Sequence, residues 1–353
     1  MDTYQPITPA VLAQLMAVTS HGGLSTADAE RQPHAKDMSH HAAHMSEVVI
    51  SPDTAEQVAA VLQIAHANHI PVTPWGAGSS LEGNPIPLYG GICLDMTRMN
   101  RIVAVHADDF QVIVQPGIGY KDMNEQLARY GLFFPPDPGA NASIGGMLAN
   151  NAAGSRTVKY GATKDNVLAM QVVLADGRLI HTGSRSIKQS AGYDLVHLFV
   201  GSEGTLGIIT EATLKLMPVP QVMGAVVATF LTVDAAIEAV VTIRGTGLDV
   251  AALEFLGPET AAIATREAGM DWGDQPTLLM EIHATHPEAA ELDLALVEAI
   301  CHDIGASSFR ATTDAAERKA LWHARHHLFE TLVRVFPGHR WLLMDVAVPI
   351  SAY

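Results

Sequence analysis

From Val48 onward the apolar positions fall into two alternating textures. VVISP is a short apolar run that predicts a strand. DTAEQVAAVLQIAHANH follows with an acidic first turn, and Val58, Val61, Leu62 and Ala65 recur on one helical face. HIPVTPW is the next strand, so Val48 to Trp75 reads as a β-α-β unit. GICLDMTRMNRIVAVHADDFQVIVQPGI carries short apolar runs between turn residues, a β-rich pattern. YKDMNEQLARYG is an amphipathic helix closed by Gly131, and NVLAMQVVLADGRLI is a hairpin about Asp176-Gly177. LFVGSEGTLGIITEATLKLMPVP reads as strand, glycine turn and strand.

Before Val48, residues 1 to about 30 suggest a short helix with loose ends, and DMSHHAAHMSE a flexible polar segment holding His40, His41 and His44, with His34 just ahead of it. Beyond Pro220 the texture is renewed. GAVVATFL, DAAIEAVVTIRG and LDVAALEFL form one β-α-β run, and PTLLMEIHA, PEAAELDLALVEAICHDIG and SSFRAT a segment of similar type. AAERKALWHARHHLFETLVRVF predicts one long helix and RWLLMDVAVP a final strand. Three segments result: 1–42, helical and polar; 43–220; and 221–353.

Composition narrows what such a chain does. Lys and Arg number 21 against 37 Asp and Glu, a formal charge of −16 with no basic cluster, which argues against nucleic acid as a partner. No apolar run approaches the ~18 residues that span a bilayer, and no basic stretch precedes a signal-like core. Cys93 and Cys301 are far apart and form no CxxC pattern, so they read as reduced thiols. The expectation is a soluble cytoplasmic protein with at most peripheral contact with the inner face of a membrane.

The chemistry-bearing feature is PWGAGSSLEG. It lacks the lysine of a phosphate-binding GxxxxGK[ST] loop. As a GxGxxG dinucleotide fingerprint it fails too, because Gly83 comes too late and Asn84-Pro85 follows in place of a helix. Glycine and small residues let successive backbone N–H groups converge on an anion. A plain tight turn would account for one such loop. Two more, ASIGGMLANNAAG and GSEGTLGIIT, point to a long ligand with a pyrophosphate at its middle.

Taken together, PWGAGSSLEG, CLDMTRMNRIV, VQPGI, FPPDPGANASIGGMLANNAAG, VKYGATKDNVL, VVLADGRLIHTG and LFVGSEGTLGIITEATLKL resemble the flavin domain of vanillyl-alcohol-oxidase-type (PCMH) enzymes. Within that group the chain is most similar to the FAD-linked D-lactate dehydrogenases of cytochrome type and the glycolate oxidase flavin subunit, with LEFL, LWHARH and DVAVPIS as further matches. The likeness runs from about Glu47 to the end. It implies an α+β protein: a two-lobed PCMH-type FAD-binding domain, then an incomplete α+β cap domain with an antiparallel sheet.

By that resemblance Gly76, Ala77, Gly78, Ser79 and Ser80 wrap the FAD pyrophosphate. Pro136, Asp137, Ala142, Ser143, Gly146, Asn150 and Gly154 line its adenine, ribose and flavin side, while Gly204 and Ile209 present backbone. Relatives that bond flavin covalently place histidine where Ser79 stands, so FAD is expected to be non-covalent. The implied reaction oxidises a D-2-hydroxy acid, D-lactate first, by hydride transfer to flavin N5, with a cytochrome or quinone as electron acceptor.

Arg325 in LWHARHH is the expected partner of the substrate carboxylate, since its planar fork is bidentate, and His326 falls where the family tends to have histidine. The alternative for Arg325 is a surface arginine paired with Glu317 or Glu330. His323, His326 and His327 have helical spacing that could serve a metal, yet no HExxH pattern accompanies them, and a wet helical face is the simpler reading. The family's metal ligands (Zn or Mn) and its expected base come from GDGNxH-type and GEHG-type motifs beyond DVAVPIS. Neither occurs here, so no metal ligand is expected within these 353 residues. The alternatives are a flavin-binding subunit of a glycolate-oxidase-like complex and a truncated, inactive flavin-binding fragment.

Overall fold

The computed structural model describes residues 4–349, which divide into two compact units. The first comprises the chain to Ala152 and Ala162–Pro218; the second comprises Ala153–Gly161 and everything from Val219.

The first unit has helices α1 (Pro9–Val18), α2 (Asp28–Arg31), α3 (Ala55–Ala67), α4 (Tyr120–Leu127), α5 (Ile144–Asn150) and α7 (Leu195–Phe199), with α6 (Thr157–Tyr160) falling in the second. Strands β1 (Leu24–Ser25), β2 (Val48–Ile50), β3 (Val72–Trp75) and β4 (Ile92–Asp95) form a sheet in the order β1-β2-β4-β3, parallel except for β1. The α3 crossover begins at Thr54, whose hydroxyl accepts the Gln57 N–H at 3.3 Å, and it buries Val58, Val61, Leu62 and Ala65 beneath this sheet.

Strands β5 (Ile102–His106), β6 (Gln111–Val114), β8 (Val167–Val173), β9 (Leu179–Gly183) and β10 (Ile208–Lys215) make an antiparallel sheet, β5-β6-β10-β8-β9. β7 (Leu132–Phe133) pairs separately with β11 (Met217–Pro218). The β8–β9 hairpin closes at Gly177, which has φ +82° and donates to Leu174 O at 2.8 Å. Met123, Leu127, Met147, Leu148 and Phe199 pack the α4, α5 and α7 helices on this sheet.

The second unit is a four-stranded antiparallel sheet, β13-β14-β12-β15, from β12 (Val222–Phe230), β13 (Val250–Leu256), β14 (Thr277–Ala284) and β15 (Ala306–Thr312). One face packs α8 (Val233–Gly245) and α10 (Pro287–Ile304) through Val226, Phe230, Ile243, Met280 and Val297. The other receives α9 (Pro258–Ala268) and α11 (Ala315–His326) through Val227, Leu279, Ala261 and Ala324. An α+β chain with antiparallel sheets is therefore what the sequence folds into.

Three local expectations are corrected. LFV is not a strand: Asp194 accepts the His197 N–H at 3.2 Å and caps the short helix α7, which buries Val196 and Phe199. The single long helix is two, α11 and α12 (Leu328–Val335), broken at His327. RWLLMDVAVP carries no strand, because a strand needs a neighbour to supply its ladder and none of the described residues pairs with it; Leu342, Met344 and Val346 are exposed. The β-α-β run expected after Pro220 forms as β12-α8-β13, with β14 lying between its two strands, antiparallel to both.

Phe230 is fully buried, whereas its neighbour Leu231 is 74% exposed. Phe230→Ala is expected to destabilise the protein by about 3–5 kcal/mol and Leu231→Ala by less than about 0.5 kcal/mol, as read from denaturant unfolding.

Candidate functional site

In the first unit the three glycine-bearing loops are tied to one another. Gly76 lies so close to Ser143, the buried N-cap of α5, that a Cβ there would collide with Ser143 Oγ. Gly204 has φ +77°, and a Cβ on it would stand 2.7 Å from Pro74 Cγ. Asn84 joins all three: its amide donates to Glu203 Oε2 at 2.6 Å, its Oδ1 accepts from Asn150 Nδ2 at 3.4 Å, and it bonds the Ser80 hydroxyl. Gly201 N and Glu203 N donate to Leu148 O and Ala149 O, each at 2.9 Å. Gly76 and Gly204 are thus required for loop-to-loop approach, a need the anion argument did not anticipate.

The loop fits a flavin dinucleotide. Among the described residues the amides of Ala77, Gly78 and Ser79 donate to no protein acceptor, and Gly78 takes φ +64°. Such a run of uncommitted N–H groups suits a pyrophosphate. Of the other residues named for the cofactor, Pro136 is buried, and Asp137 accepts from Tyr120 Oη at 2.6 Å and Gly139 N at 3.1 Å. Ala142 O accepts from Tyr120 N at 3.0 Å, and Gly146 N donates to Ser143 Oγ at 3.3 Å. Ile209 is buried in β10, where the register to β8 shifts between Ile209 and Glu211. Gly154 falls in the Ala153–Gly161 segment of the second unit.

The histidine-rich segment expected to be flexible is strapped beside the glycine loop. Asp37 and Ser39 are buried; Asp37 Oδ2 accepts from Gly83 N at 2.8 Å and Met38 N donates to Ser80 O at 3.0 Å. His34 lies against the edge of Trp75, with ring centroids 5.0 Å apart. Its Nδ1 faces Glu30 O at 2.7 Å and its Nε2 faces Asp95 Oδ2 at 3.3 Å. Both ring nitrogens face acceptors, which suits imidazolium. The hydrogen bond to Asp95 raises the His34 pKa above its ordinary value against the opposing effect of burial. For Asp95 burial acts upward, but the bonds from His34 and Thr97 outweigh it and the carboxyl stays below its usual range. Local polarity suggested mobility; the partners come from distant strands, which composition does not reveal.

In the second unit Arg325 pairs neither with Glu317 nor with Glu330. Its Nε and Nη2 donate to Glu254 Oε2 on β13, at 3.1 and 2.7 Å, while Glu317 pairs with Arg310 at 3.2 Å. His326 lies with its ring centroid 5.8 Å from that of Trp322. His323 and His327 are exposed and stack at 4.0 Å. Among the described residues no group of three or more His, Cys, Asp or Glu could hold a metal.

The same unit carries a polar set that the sequence reading missed. Arg156 Nε and Nη2 donate to Glu281 Oε1 at 3.2 and 3.0 Å, Glu281 bonds His283 Nε2, and Tyr160 Oη lies 2.6 Å from His283 Nδ1. Burial works to raise the Glu281 pKa, but the His283 bond and the Arg156 charge overcome it and hold the carboxyl below its usual range. A signal for this set exists in PTLLMEIHA, where Glu281 and His283 alternate in an otherwise apolar strand and so share a face. Cys93 and Cys301 are free and buried, their thiols pushed up by burial to about 12 and about 11, so neither offers a thiolate. No helix among the described residues is long and apolar enough to cross a membrane.

Comparison with known proteins accords with this geometry. Residues 46–183 match the FAD binding domain family, and residues 219–353 match the FAD linked oxidases, C-terminal domain. A probable mitochondrial D-lactate dehydrogenase of Danio rerio is 40% identical over 97% of this chain and 69% of its own length. A mitochondrial D-lactate dehydrogenase [cytochrome] of Arabidopsis thaliana is 37% identical over 99% of this chain, which spans 61% of that protein. The glycolate oxidase subunit GlcD of Bacillus subtilis is 36% identical over 98% of this chain and 74% of its own length. Among solved structures, an alkyldihydroxyacetonephosphate synthase superposes with TM-score 0.78 at 21% identity, covering 95% of this chain and 65% of that one. Substrate-bound p-cresol methylhydroxylase gives TM-score 0.69 at 18% identity over 92% and 70%. These two establish the shared fold.

Because the folded state raises the His34 pKa, the stability gained from its bond to Asp95 is complete below the ordinary histidine value of 6.5 and fades as pH climbs through the raised value. The gap in unfolding free energy between wild type and His34→Gln is therefore expected to be widest below about pH 6 and to close toward about pH 9. Denaturant unfolding across that range measures it, and a gap that does not change with pH would contradict the assignment.

Proposed function

The chain belongs to the FAD-linked oxidase family that includes the D-lactate dehydrogenases and the glycolate oxidase GlcD subunits, and on that premise we propose that it oxidises a D-2-hydroxy acid, D-lactate foremost, to the 2-oxo acid, with a cytochrome- or quinone-type protein or cofactor as final acceptor. Bound FAD supplies the two-electron oxidising power. Gly76 to Ser80, with the α5 N-terminal region and the Gly201–Gly207 loop, hold it; Ser79 offers no imidazole for a covalent link, which supports non-covalent binding.

Arg325 carries the substrate reading. One edge of its guanidinium is fixed on Glu254 Oε2, while the side chain as a whole remains 32% exposed. A guanidinium already oriented on a carboxylate beneath it meets an incoming acid with little rotamer entropy left to lose. It thereby neutralises the substrate carboxylate and fixes where the neighbouring C2 lies.

A second reading has its own support. The 36% identity to a glycolate oxidase subunit over 98% of the chain favours a flavin holder whose site is completed by another chain. The two readings part in one experiment. Under the first, the visible flavin band of the purified protein bleaches anaerobically with D-lactate and not with L-lactate. Arg325→Met should then raise the half-saturating D-lactate concentration about 10- to 100-fold, as expected for losing one charge-assisted hydrogen-bonded pair, with flavin content unchanged. A flavin band indifferent to D-lactate supports the second reading, and the absence of any flavin band contradicts both.

A further inference from the structure

The glycine loop of the first unit is clamped at its entry from outside. Trp75 ends β3 opposite Asp95 in the parallel register with β4, so the two side chains stand side by side at the end of the sheet. His34, on the turn Gln32–Ala35, reaches both: its ring centroid lies 5.0 Å from that of Trp75, and its Nε2 lies 3.3 Å from Asp95 Oδ2. The other oxygen of Asp95 accepts from Thr97 N at 2.9 Å, which holds the carboxylate in place. Trp75 in turn lies directly against the backbone of Gly78, where a Cβ would collide with Trp75 Cζ2. Gly78, at φ +64°, is the middle one of the three residues whose amides are left for the pyrophosphate. His34, Trp75 and Gly78 form one contiguous set of contacts from the strap to the cofactor loop.

A charge holds that set at its base. His34 Nδ1 faces Glu30 O at 2.7 Å while Nε2 faces Asp95, so each nitrogen needs a hydrogen to complete its bond. A neutral ring carries only one. It would turn a lone pair on a carbonyl oxygen or on a carboxylate, in a place where the His34 side chain is 13% exposed. Rotating the ring or shifting the strap relieves that conflict, and either one displaces the ring that bears on Trp75. The groups facing His34 are the Asp95 carboxylate on β4, the Glu30 carbonyl and carboxylate on α2, and the neutral indole on β3. Asp37, farther along the strap, directs its carboxylate to Ser39 N and Gly83 N. The bond to Asp95 raises the His34 pKa most, burial opposes it, and the Glu30 carbonyl adds to the rise.

We infer that His34 is a positioning residue for FAD: as an imidazolium bonded to Asp95 it keeps Trp75 seated against Gly78, so that the loop presents its amides to the pyrophosphate, and FAD binds more weakly once His34 is neutral. The coupling is reciprocal. Whatever factor protonation of His34 adds to FAD binding, bound FAD adds to proton binding at His34. The sign follows from this. Affinity is highest where His34 is charged in the cofactor-free chain, falls as pH climbs through the pKa of His34 in that state, and levels off above its still higher pKa in the loaded chain. The strap thereby makes cofactor retention sensitive to pH. The inference concerns the cofactor alone and holds whichever acid the flavin oxidises.

Two measurements test this on the full chain. Dilution of the FAD-loaded protein, followed by the fluorescence of released FAD from about pH 6 to about pH 9, gives the dissociation constant. In wild type it should rise about 5-fold or more across that range, the ordinary size of coupling between linked sites. In His34→Gln it should stay near the wild-type high-pH value throughout. His41, whose ring lies against Gly83, and the other histidines remain in that variant, so the difference between the two profiles belongs to His34. Nitrogen-15 NMR of histidine-labelled protein, with His34→Gln to assign the resonance, should show His34 titrating at higher pH with FAD bound than without, by the logarithm of the same ratio. Trp75→Leu should weaken FAD binding at every pH and abolish that difference. Equal pH profiles in wild type and His34→Gln, or a His34 titration that FAD does not move, would overturn the coupling. A titration that FAD still moves in Trp75→Leu would overturn its route through the indole.

Discussion

Everything about the flavin-binding unit follows from how closely three stretches of backbone are brought together. Gly76 and Ser143 meet where no Cβ fits, and Gly204 sits over the ring of Pro74. Both contacts would fail with any larger residue, and Gly204 also needs a positive φ that other residues adopt only with strain. The two sheets and the packed α3, α4 and α5 helices hold the loop stems so that this approach is possible. Asn84 then exchanges hydrogen bonds with Glu203, Asn150 and Ser80, and locks the loops in one arrangement. With their side chains reduced to hydrogen, methyl and hydroxymethyl groups, the amides of residues 77–79 are left for an anionic ligand.

In the other unit the organising constraint is electrostatic. A carboxylate buried in a sheet face is costly unless paired and hydrogen-bonded. Glu281, nearly fully buried, and Glu254 each recruit an arginine through the same Nε and Nη2 edge. The β13–β14 register makes these pairs neighbours, so two guanidiniums, an imidazole and a phenol gather on a strip otherwise built from Leu, Ala and Val. The apolar packing around them lowers the local dielectric and strengthens each bond. The same two acidic positions thus set where both guanidiniums stand on this face.

Much of this is legible in the sequence where the determinant is local. The α3 and α10 helices announce themselves by periodicity and capping, and the β8–β9 hairpin by Asp176-Gly177. The glycine loops could be recognised by composition and resemblance. Legibility ended where partners are distant. The helix at Leu195 depends on one capping aspartate in a run that looks equally suited to a strand. RWLLMDVAVP has the composition of a strand, but pairing decides the matter and none of the described residues pairs with it. The histidine-rich segment gains order from Asp95 and from the loop at Ser80 to Gly83. Glu254 stands inside LEFL, yet its partner is Arg325, 71 positions on. Glu281 and His283 needed the strand register before their shared face meant anything.

Hydrogen–deuterium exchange, comparing the chain stripped of cofactor with the same chain saturated with FAD, tests the central claim most directly. The account predicts slowed exchange at the amides of Ala77, Gly78 and Ser79 and, to a lesser degree, through the stretches 143–150 and 201–207, with the sheet interiors unchanged. Protection confined to other parts of the chain, or none at these three amides at saturating FAD, would contradict it.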